Sequence, residues 1–228
     1  MNQELPIRRR IRSYVRREGR LTPAQQVAID TLWPTFGLQL DQLPAFSDWF
    51  PRIQPITLEI GFGNGASLAQ MAEAEPERNF IGIEVHRPGV GHLLKQIDER
   101  QLDNIRLFNC DAVDVLKQAI PDRSLNTVQL FFPDPWHKKR HHKRRLVQLG
   151  FMELVRAKLE AGGVFHAATD WQDYAEGMMA VLEACKGLRN EAGPGAYSPR
   201  PQSRPLTKFE QRGVKLGHGV WDLRFIRG

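Results

Sequence analysis

Residues 56–66, I-T-L-E-I-G-F-G-N-G-A, decide the fold of this chain. Five mostly apolar residues run into a loop with glycine at every second position, and a helical pattern then continues to residue 74. A short apolar run that stops at glycine is typical of a buried parallel strand. The stretch therefore predicts a strand, a tight loop and a helix, which is the repeating unit of an α/β sheet.

The same alternation continues along the chain. Further strand patterns occupy residues 80–84, 105–108, 125–132 and 164–168. The helical patterns that follow them occupy residues 88–100, 113–120, 144–159 and 171–185. This order predicts a Rossmann-like α/β fold, an open and mostly parallel sheet with helices on both faces. Ligands of such sheets bind at the carboxyl ends of the strands, so we expect the functional residues directly after each strand.

Residues 1–20 are interpreted as a flexible basic arm, and residues 21–228 as a single domain. Thr22 and Pro23 predict the N-cap and first residue of a helix that ends near Pro34. Residues 34–55 contain four prolines and predict a loop. Residues 220–226 mix aromatic and polar side chains and predict a hairpin at the edge of the sheet.

The composition excludes several classes of protein. The chain has 228 residues, 41% of them hydrophobic, which is enough for one core without covalent cross-links. Two cysteines, Cys110 and Cys185, cannot form a disulfide framework or a cysteine zinc site. No apolar run approaches the roughly 20 residues of a membrane span, and the N-terminus lacks the apolar core of a signal peptide. We therefore expect a cytoplasmic protein without membrane contact.

The positive charge is concentrated in three stretches. The net charge is +6, yet residues 1–20, 136–145 and 200–228 carry +5, +6 and +5, which leaves −10 for the rest of the chain. Cations gathered in this way indicate a polyanionic partner such as nucleic acid, although a solvated surface is the alternative.

The glycine loop is compatible with two nucleotide cofactors. Gly61, Gly63 and Ala66 match the dinucleotide pattern G-x-G-x-x-A loosely. Glu59, Gly61, Gly63 and Gly65 match in full the pattern E-x-G-x-G-x-G of an S-adenosyl-L-methionine site. A cationic sulfonium ligand benefits from a nearby carboxylate, whereas a pyrophosphate does not. The loop therefore favours adenosylmethionine, while a purely structural turn remains open.

Two further carboxylates follow the next strands. Glu84 ends the second strand, where a carboxylate can accept both ribose hydroxyls of an adenosine. Asp111 follows the third strand and is predicted to bind the adenine amino group, to cap the next helix, or both. Both positions support an adenosine ligand. The alternative interpretation of Glu84 is an ordinary surface glutamate at the end of a strand.

Residues 131–145, F-F-P-D-P-W-H-K-K-R-H-H-K-R-R, follow the fourth strand. Prolines on both sides stiffen Asp134, and Trp136 offers a stacking face. Six cations and three histidines then follow within nine residues, a mixture suited to phosphates and bases. No carboxylate or thiolate lies among these histidines, and the cations would repel a divalent ion, so we predict no metal. A solvated face or a localisation signal is the alternative.

These motifs together resemble the bacterial tRNA (guanine-N7)-methyltransferases, the family that modifies guanosine 46 in the variable loop of tRNA. The matching residues are E-I-G-F-G-N-G at 59–65, I-G-I-E-V-H at 81–86, F-P-D-P-W-H-K-K-R-H at 132–141, A-T-D-W at 168–171 and T-K-F-E at 207–210. The glycine loop is shared by most class I methyltransferases, whereas the P-D-P-W and T-K-F-E motifs are specific to the family. The resemblance implies the class I fold with a seven-stranded sheet, S-adenosyl-L-methionine as cofactor and tRNA as partner.

The resemblance also implies roles for individual positions. Asp134 is the catalytic residue and also touches the cofactor. The other cofactor-binding positions are Glu59, Gly61, Gly63, Gly65, Glu84 and Asp111. The substrate-binding positions are Lys138, Asp170, Thr207, Lys208, Phe209 and Glu210. The RNA-binding positions are Arg140, His141, His142, Lys143, Arg144 and Arg145.

Asp170 and Glu210 also fit guanine on chemical grounds. Guanine presents two adjacent hydrogen-bond donors, N1–H and its 2-amino group, and a carboxylate can accept from both. Adenine does not have this pair of donors. Asp170 follows the fifth strand, and Glu210 lies beside Phe209, on which a base can stack. Helix capping by Asp170 and an ordinary loop around Glu210 are the structural alternatives.

Three other functions remain open from the sequence. A methyltransferase for another RNA or DNA atom is the nearest, since related acidic and proline motifs serve amine methylation. An NAD-dependent dehydrogenase leaves Glu59 and the basic stretches unexplained. A non-catalytic RNA-binding protein does not need three acidic residues placed for an adenosine. The sequence does not distinguish a monomer from a homodimer.

Overall fold

The computed structural model describes residues 12–14, 19–206, 210 and 219–228. Most of the predicted basic arm therefore lies outside the described residues. The same holds for three of the substrate-binding positions, Thr207, Lys208 and Phe209.

Helices and strands alternate through most of the described chain. The helices are α1 Pro23–Phe36, α2 Ala66–Ala74, α3 Arg87–Glu99, α4 Ala112–Gln118, α5 Leu149–Lys158 and α6 Gln172–Ala184. The strands are β1 Gly37–Leu38, β2 Ile56–Ile60, β3 Asn79–Ile83, β4 Ile105–Phe108, β5 Leu125–Phe131, β6 Leu159–Thr169, β7 Leu188–Asn190 and β8 Trp221–Arg227. Short 3-10 turns lie at Phe46–Asp48 and Lys139–Arg144.

The strands form one open sheet in the order β1-β4-β3-β2-β5-β6-β8-β7. Pairing is parallel from β1 to β6, and β8 pairs antiparallel with both β6 and β7. The strand order reverses between β2 and β5, which places a ligand crevice at their carboxyl ends. The predicted α/β class and the mostly parallel open sheet are confirmed.

Helices cover both faces of the sheet, as predicted. One buried cluster contains Leu68 of α2 and Leu93 of α3, and α1 adds Ala28 and Ile29. The cluster on the opposite side is formed with apolar residues of α4, α5 and α6. Adjacent residues of β4 divide between the two clusters, because successive side chains of a strand point to opposite faces.

The ends of the sheet differ from the sequence prediction. The sheet has eight strands rather than seven, because Gly37 and Leu38 pair with β4 in a stretch predicted to be loop. The C-terminal strand β8 is inserted between β6 and β7, so β7 rather than β8 forms this edge of the sheet, and β1 forms the other edge. This position could not be foreseen, since strand order depends on contacts between distant residues.

Two helix boundaries also differ. Helix α1 continues through Pro34 to Phe36, and the Gly37 amide donates to the Trp33 carbonyl at its end. Helix α5 begins at Leu149 rather than 144, because the preceding basic residues form the 3-10 turn and an extended segment. Within the described residues, no helix has both the length and the apolar character needed to cross a membrane.

Candidate active site

The glycine loop connects β2 to α2 with left-handed backbone at Gly61, Gly63 and Gly65, whose φ angles are 74°, 60° and 75°. A methyl group added at Gly63 would meet no atom within 4 Å, and the same holds at Gly61. At Gly65 it would lie 2.6 Å from Leu93 Cβ. Gly65 therefore allows α3 to pack closely, whereas the other two glycines leave open space at the carboxyl edge.

Glu84 fixes this loop in place. Its Oε2 accepts a hydrogen bond from the Gly63 amide at 2.9 Å. Its Oε1 accepts from the amides of Val85 and His86 at 2.7 and 2.8 Å. The carboxylate thus joins the end of β3 to the glycine loop, a role that sequence reasoning did not anticipate.

Glu59 is a buried carboxyl without a partner for one oxygen. Its side chain is 3% exposed, and Oε2 has no hydrogen-bond partner among the described residues. Burial, together with the nearby negative Glu84, raises the pKa of Glu59 to about 8. An unsatisfied buried acceptor costs about 1–3 kcal/mol, so this position favours a ligand that brings a cation or a donor.

Asp111 caps helix α4. Its side chain accepts a hydrogen bond from the Val113 amide at 2.9 Å, which is the capping role considered from the sequence. The carboxylate is only half-buried, and it lines the same cavity as Glu84. Capping therefore leaves an adenine contact available.

A cavity of about 210 Å³ lies at the carboxyl ends of the central strands. Gly61, Glu84, Asp111 and Asp134 line it, which brings four of the predicted site positions together. A larger cavity of about 800 Å³ adjoins it at Val85 and Cys110. Residues from different strands thus converge where the fold predicts a ligand.

Two residues near the N-terminus also line the smaller cavity, namely Ser13 and Tyr14. The Ser13 carbonyl accepts a hydrogen bond from Trp136 Nε1 at 3.0 Å. Sequence analysis interpreted this segment only as part of a flexible basic arm, because nothing in an arginine-rich stretch shows where it folds back.

Asp134 lies on a strained connection after β5. Phe132 and Trp136, on either side of it, adopt positive φ angles of 49° and 47°, unusual for large side chains. Asp134 is exposed, and its Oδ1 accepts a hydrogen bond from the Trp136 amide at 3.1 Å. Such strain typically costs about 1–3 kcal/mol per residue and is found mainly where function requires it.

The basic turn, defined here as Lys138, Lys139, Arg140 and Lys143, follows this connection. All four side chains are exposed. A solvent-facing cluster of one sign at the ligand edge fits the predicted contact with phosphates.

Arg144 and His141 pack around Trp136. The Arg144 guanidinium lies 4.8 Å from the Trp136 ring centroid, and the His141 ring meets the same indole edge-on at 5.8 Å. Partial burial and the neighbouring cations, Arg140 first among them, lower the pKa of His141. His141 therefore carries less positive charge at neutral pH in the free protein than an isolated histidine would.

Arg145 differs from the other cations that were predicted to bind RNA. It is 8% exposed, and its guanidinium stacks 4.7 Å from the Tyr174 ring centroid. It donates to the Pro135 carbonyl at 2.9 Å and forms an ion pair with Asp173. Its donors are turned inward, so Arg145 supports the P-D-P-W segment rather than facing a phosphate. His142 lies beside this pair, with Nε2 3.8 Å from Asp173 Oδ2.

Asp170 follows β6, the strand that pairs with β5, and is half-buried. Its neighbour Trp171 is 40% exposed and packs at 4.2 Å against the ring of His137. Sequence reasoning assigned no role to Trp171, although its place in the A-T-D-W motif was a signal. The ends of β5 and β6 thus bring acidic and aromatic side chains to the same edge of the sheet.

Glu210 is buried, in contrast to the open contact expected from its sequence neighbours. It is 3% exposed, and both carboxylate oxygens accept from the Arg204 guanidinium, at 2.7 and 2.8 Å. Burial opposes the charge of Arg204, yet Glu210 and Asp222 together raise its pKa. Among the described residues, no group of three or more His, Cys, Asp or Glu side chains is placed to hold a metal ion.

An open α/β sheet with a glycine loop after a central strand, and with carboxylates at the next two strand ends, is the architecture of a protein that binds a nucleotide at this edge. Here the architecture is that of a class I methyltransferase fold. The fold is similar to that of the 16S rRNA methyltransferase KamB, with a TM-score of 0.60 and 13% identity. That similarity covers 80% of this chain and 92% of KamB.

Sequence comparisons identify the family. Residues 53–223 match a family model described as putative methyltransferase. The tRNA (guanine-N(7)-)-methyltransferase of Hydrogenovibrio crunogenus is 61% identical over 221 residues, which is 96% of this chain and 92% of that protein. The protein of the same name from Klebsiella pneumoniae subsp. pneumoniae is 59% identical with the same coverage of both chains. The chain belongs to the tRNA (guanine-N(7)-)-methyltransferase family, and it is an S-adenosyl-L-methionine-dependent methyltransferase.

Proposed function

We propose that this protein transfers the methyl group of S-adenosyl-L-methionine to N7 of guanosine 46 in tRNA. The observation that carries the proposal is the placement of Asp134. This carboxylate lines the cofactor cavity and is exposed, and the basic turn begins four residues later. Family membership supports the choice of tRNA and of guanine N7, and a tRNA substrate makes the cytoplasm the expected location.

The residues around the cavity fit the cofactor. The glycines at 61 and 63 leave room for a ligand against the backbone. Glu59 is not among the residues that line the cavity; it is buried two residues before Gly61, and its unpaired oxygen favours a cation at this edge. Glu84 would accept one ribose hydroxyl at Oε2 while keeping its three bonds to backbone amides, and Asp111 would accept from adenine. Gly65 would support the site indirectly, because it lets α3 pack closely against the glycine loop. The bound cofactor supplies a methyl group made electrophilic by its sulfonium.

Guanine N7 carries an in-plane lone pair at neutral pH, so no side chain needs to remove a proton before attack. The protein has to align N7 with the methyl carbon and exclude other approach directions. Methylation leaves a positive charge on the imidazole ring of the base. Asp134, held by the adjacent prolines and the strained residues around it, stabilises that charge as it develops.

The remaining site positions are proposed to bind tRNA. Lys138 and the rest of the basic turn contact phosphates, together with Arg144, His141 and His142. Asp170 accepts from the edge of guanine. Thr207, Lys208 and Phe209 are proposed as substrate contacts from their position in the family motif.

The test is a methylation assay with bulk tRNA that lacks modifications and with labelled S-adenosyl-L-methionine. After digestion to nucleosides, the label should be found in 7-methylguanosine. Label in another nucleoside would support the alternative of a methyltransferase for a different RNA atom. No incorporation, with intact cofactor binding, would contradict the proposal.

Gly63→Ala and Gly65→Ala are expected to separate ligand binding from folding. Each forces a left-handed alanine, which costs about 1–2 kcal/mol. Gly65→Ala adds the close contact with Leu93, so it should lower the melting temperature more than Gly63→Ala does. Gly63→Ala should instead weaken cofactor binding, because its methyl group occupies the open space. Thermal unfolding and calorimetric titration of the two variants provide the comparison, and equal melting temperatures would contradict it.

The affinity for S-adenosyl-L-methionine should increase with pH below about 8. Glu59 has a raised pKa in the free protein and is neutral at low pH, whereas the cationic ligand favours its ionised form. Binding must then release a proton, so affinity should weaken by up to about tenfold for each pH unit below 8. Calorimetry in two buffers of different ionisation enthalpy measures both the affinity and the released proton.

Glu59→Gln is the matched control for this pH dependence. Glutamine keeps the size of the side chain and cannot ionise, so only the titrations of the ligand and of the other groups at the site remain. The slope attributed to Glu59 should disappear in this variant. If the unchanged protein and Glu59→Gln gave the same pH dependence, Glu59 would not be the group that titrates.

A further inference from the structure

One aromatic residue is exposed at the edge of the sheet that carries the candidate active site. Trp171 is 40% exposed, and among the described residues every other Phe, Tyr and Trp is buried or half-buried. An indole left in water forgoes the free energy that burial of a large apolar surface provides. A ligand that covers the ring recovers this free energy, so we considered what Trp171 is placed to bind.

Trp171 and Asp134 follow neighbouring strands of the sheet. Strands β5 and β6 are paired with Phe131 opposite Ala168, and the Phe132 amide donates to the Ala168 carbonyl at 2.8 Å. Asp134 lies three residues beyond Phe131, and Trp171 lies three residues beyond Ala168. The two connections therefore leave the sheet side by side, at the carboxyl edge where Asp134 lines the cofactor cavity.

The backbone and the ring of Trp171 are both held in place. The ring meets that of His137 edge-to-face, with the centroids 4.2 Å apart and the planes at 71°. The Trp171 amide donates to Thr169 Oγ1 at 3.2 Å, and the Trp171 carbonyl accepts from the Tyr174 amide of α6 at 3.0 Å. Because the indole is already oriented in the free protein, stacking against it costs little conformational entropy.

The side chains around Trp171 fit a nucleotide. His137 belongs to the same connection as Asp134, and the exposed Lys138 of the basic turn follows it directly. Asp170 is half-buried next to Trp171 in the chain and offers a carboxylate to the donors of a base edge. Proteins bind unpaired nucleotides with this combination, in which an aromatic face holds the base, a cation holds the phosphate and an acceptor reads the edge.

We propose that the indole of Trp171 stacks on the guanine that is methylated. A base in a folded tRNA has to leave its stacking neighbours before N7 reaches the cofactor, and the indole replaces the contact that is lost. Methyl transfer then places a positive charge on the imidazole ring, and among aromatic side chains an indole attracts a cation most strongly. Trp171 thus favours the charged transition state over neutral guanine. This inference rests on the proposed function and deepens it by assigning the residue that orients the base.

The first test compares kcat/KM for unmodified tRNA between replacements of Trp171. Phenylalanine keeps an aromatic face, whereas leucine keeps apolar volume without one. We expect Trp171→Phe to stay within about fivefold of the unchanged protein, and Trp171→Leu to lose about 10- to 100-fold. Ile53→Ala is the matched control, because Ile53 is another exposed apolar residue but precedes β2, at the opposite end of the strands. Its kcat/KM should not change.

The second test identifies the stacked base by a double-mutant cycle in tRNA binding. One tRNA has guanosine at position 46 and the other has an abasic ribose there, and S-adenosyl-L-homocysteine replaces the cofactor so that no methyl group is transferred. Trp171→Leu should weaken binding of the guanosine tRNA by about 10-fold and binding of the abasic tRNA by less than about twofold.

The inference is overturned if Trp171→Leu changes the binding of both tRNAs by the same factor, because the indole would then not contact the base at position 46. It is also overturned if Trp171→Leu keeps its kcat/KM, or if Trp171→Phe is as slow as Trp171→Leu. Melting temperatures show which variants are folded, and Trp171→Gln, whose side chain suits an exposed position, takes the place of a leucine variant that does not fold. If the unchanged protein forms no 7-methylguanosine in the guanosine tRNA, the proposed function fails rather than this inference.

Discussion

Asp134→Ala is expected to lower kcat for methyl transfer by at least about 10³-fold, because it removes the carboxylate that stabilises the charge developing on guanine. Binding of tRNA should change by less than about twofold, since phosphates supply most of the affinity. The melting temperature should change little, because Asp134 is exposed and makes a local bond to the Trp136 amide. Single-turnover kinetics and tRNA titrations measure the two quantities separately.

Asp134→Asn is the informative companion to this variant. Asparagine keeps the shape of the side chain and can still accept from the Trp136 amide, but it carries no charge. If Asp134 acts by its charge, both variants should be almost equally inactive. Near-normal activity of Asp134→Asn would assign the residue to positioning instead. Loss of tRNA binding with normal turnover at saturation would contradict the catalytic role.

Replacing the four cations of the basic turn with glutamine is expected to weaken tRNA binding by about 10²-fold at moderate salt. The plot of log affinity against log salt should become shallower by about 3, since each lost phosphate contact removes roughly 0.7–0.9 from the slope. Arg145 is left unchanged, because it is buried against Tyr174 and its loss would disturb the fold.

A control variant carries the same change in charge elsewhere. Four exposed cations lie at the end of α4 or after it and after α6, away from the carboxyl ends of the parallel strands. They are Lys117 in the last turn of α4, Arg123 beyond that helix, and Lys186 and Arg189 beyond α6. Replacing these four with glutamine should leave the salt slope nearly as it is. An unchanged slope for the basic turn, or equal effects of the two sets, would refute the turn as the phosphate contact.

Much of the fold could be predicted from local patterns. The strand at 56–60 and the helix at 66–74 have the bounds that the glycine loop indicated. The predicted start of α5 at residue 144 was wrong, because charge patterns do not distinguish a helix from a 3-10 turn. The two-residue strand β1 was missed because it carries no periodic pattern and depends on β4 for its hydrogen bonds.

The candidate site was predictable where a motif places residues at strand ends. Glu84, Asp111 and Asp134 do line one cavity, as the topology of a parallel sheet requires. Arg145 could not be told apart from Arg144 in a run of cations, since only tertiary packing turns one of them inward. The pairing of Arg204 with Glu210 and Asp222 was likewise invisible, because it joins distant elements and leaves no local signature.

The most direct test of the central claim is to locate the modified base in a single tRNA. Borohydride reduction followed by aniline cleaves RNA chains at 7-methylguanosine, so the cleavage position identifies the target. After incubation with the unchanged protein and S-adenosyl-L-methionine, one cut at position 46 is expected, and Asp134→Ala should give none. A cut at another guanosine, or label incorporated into tRNA that remains uncut, would contradict N7 methylation of guanosine 46.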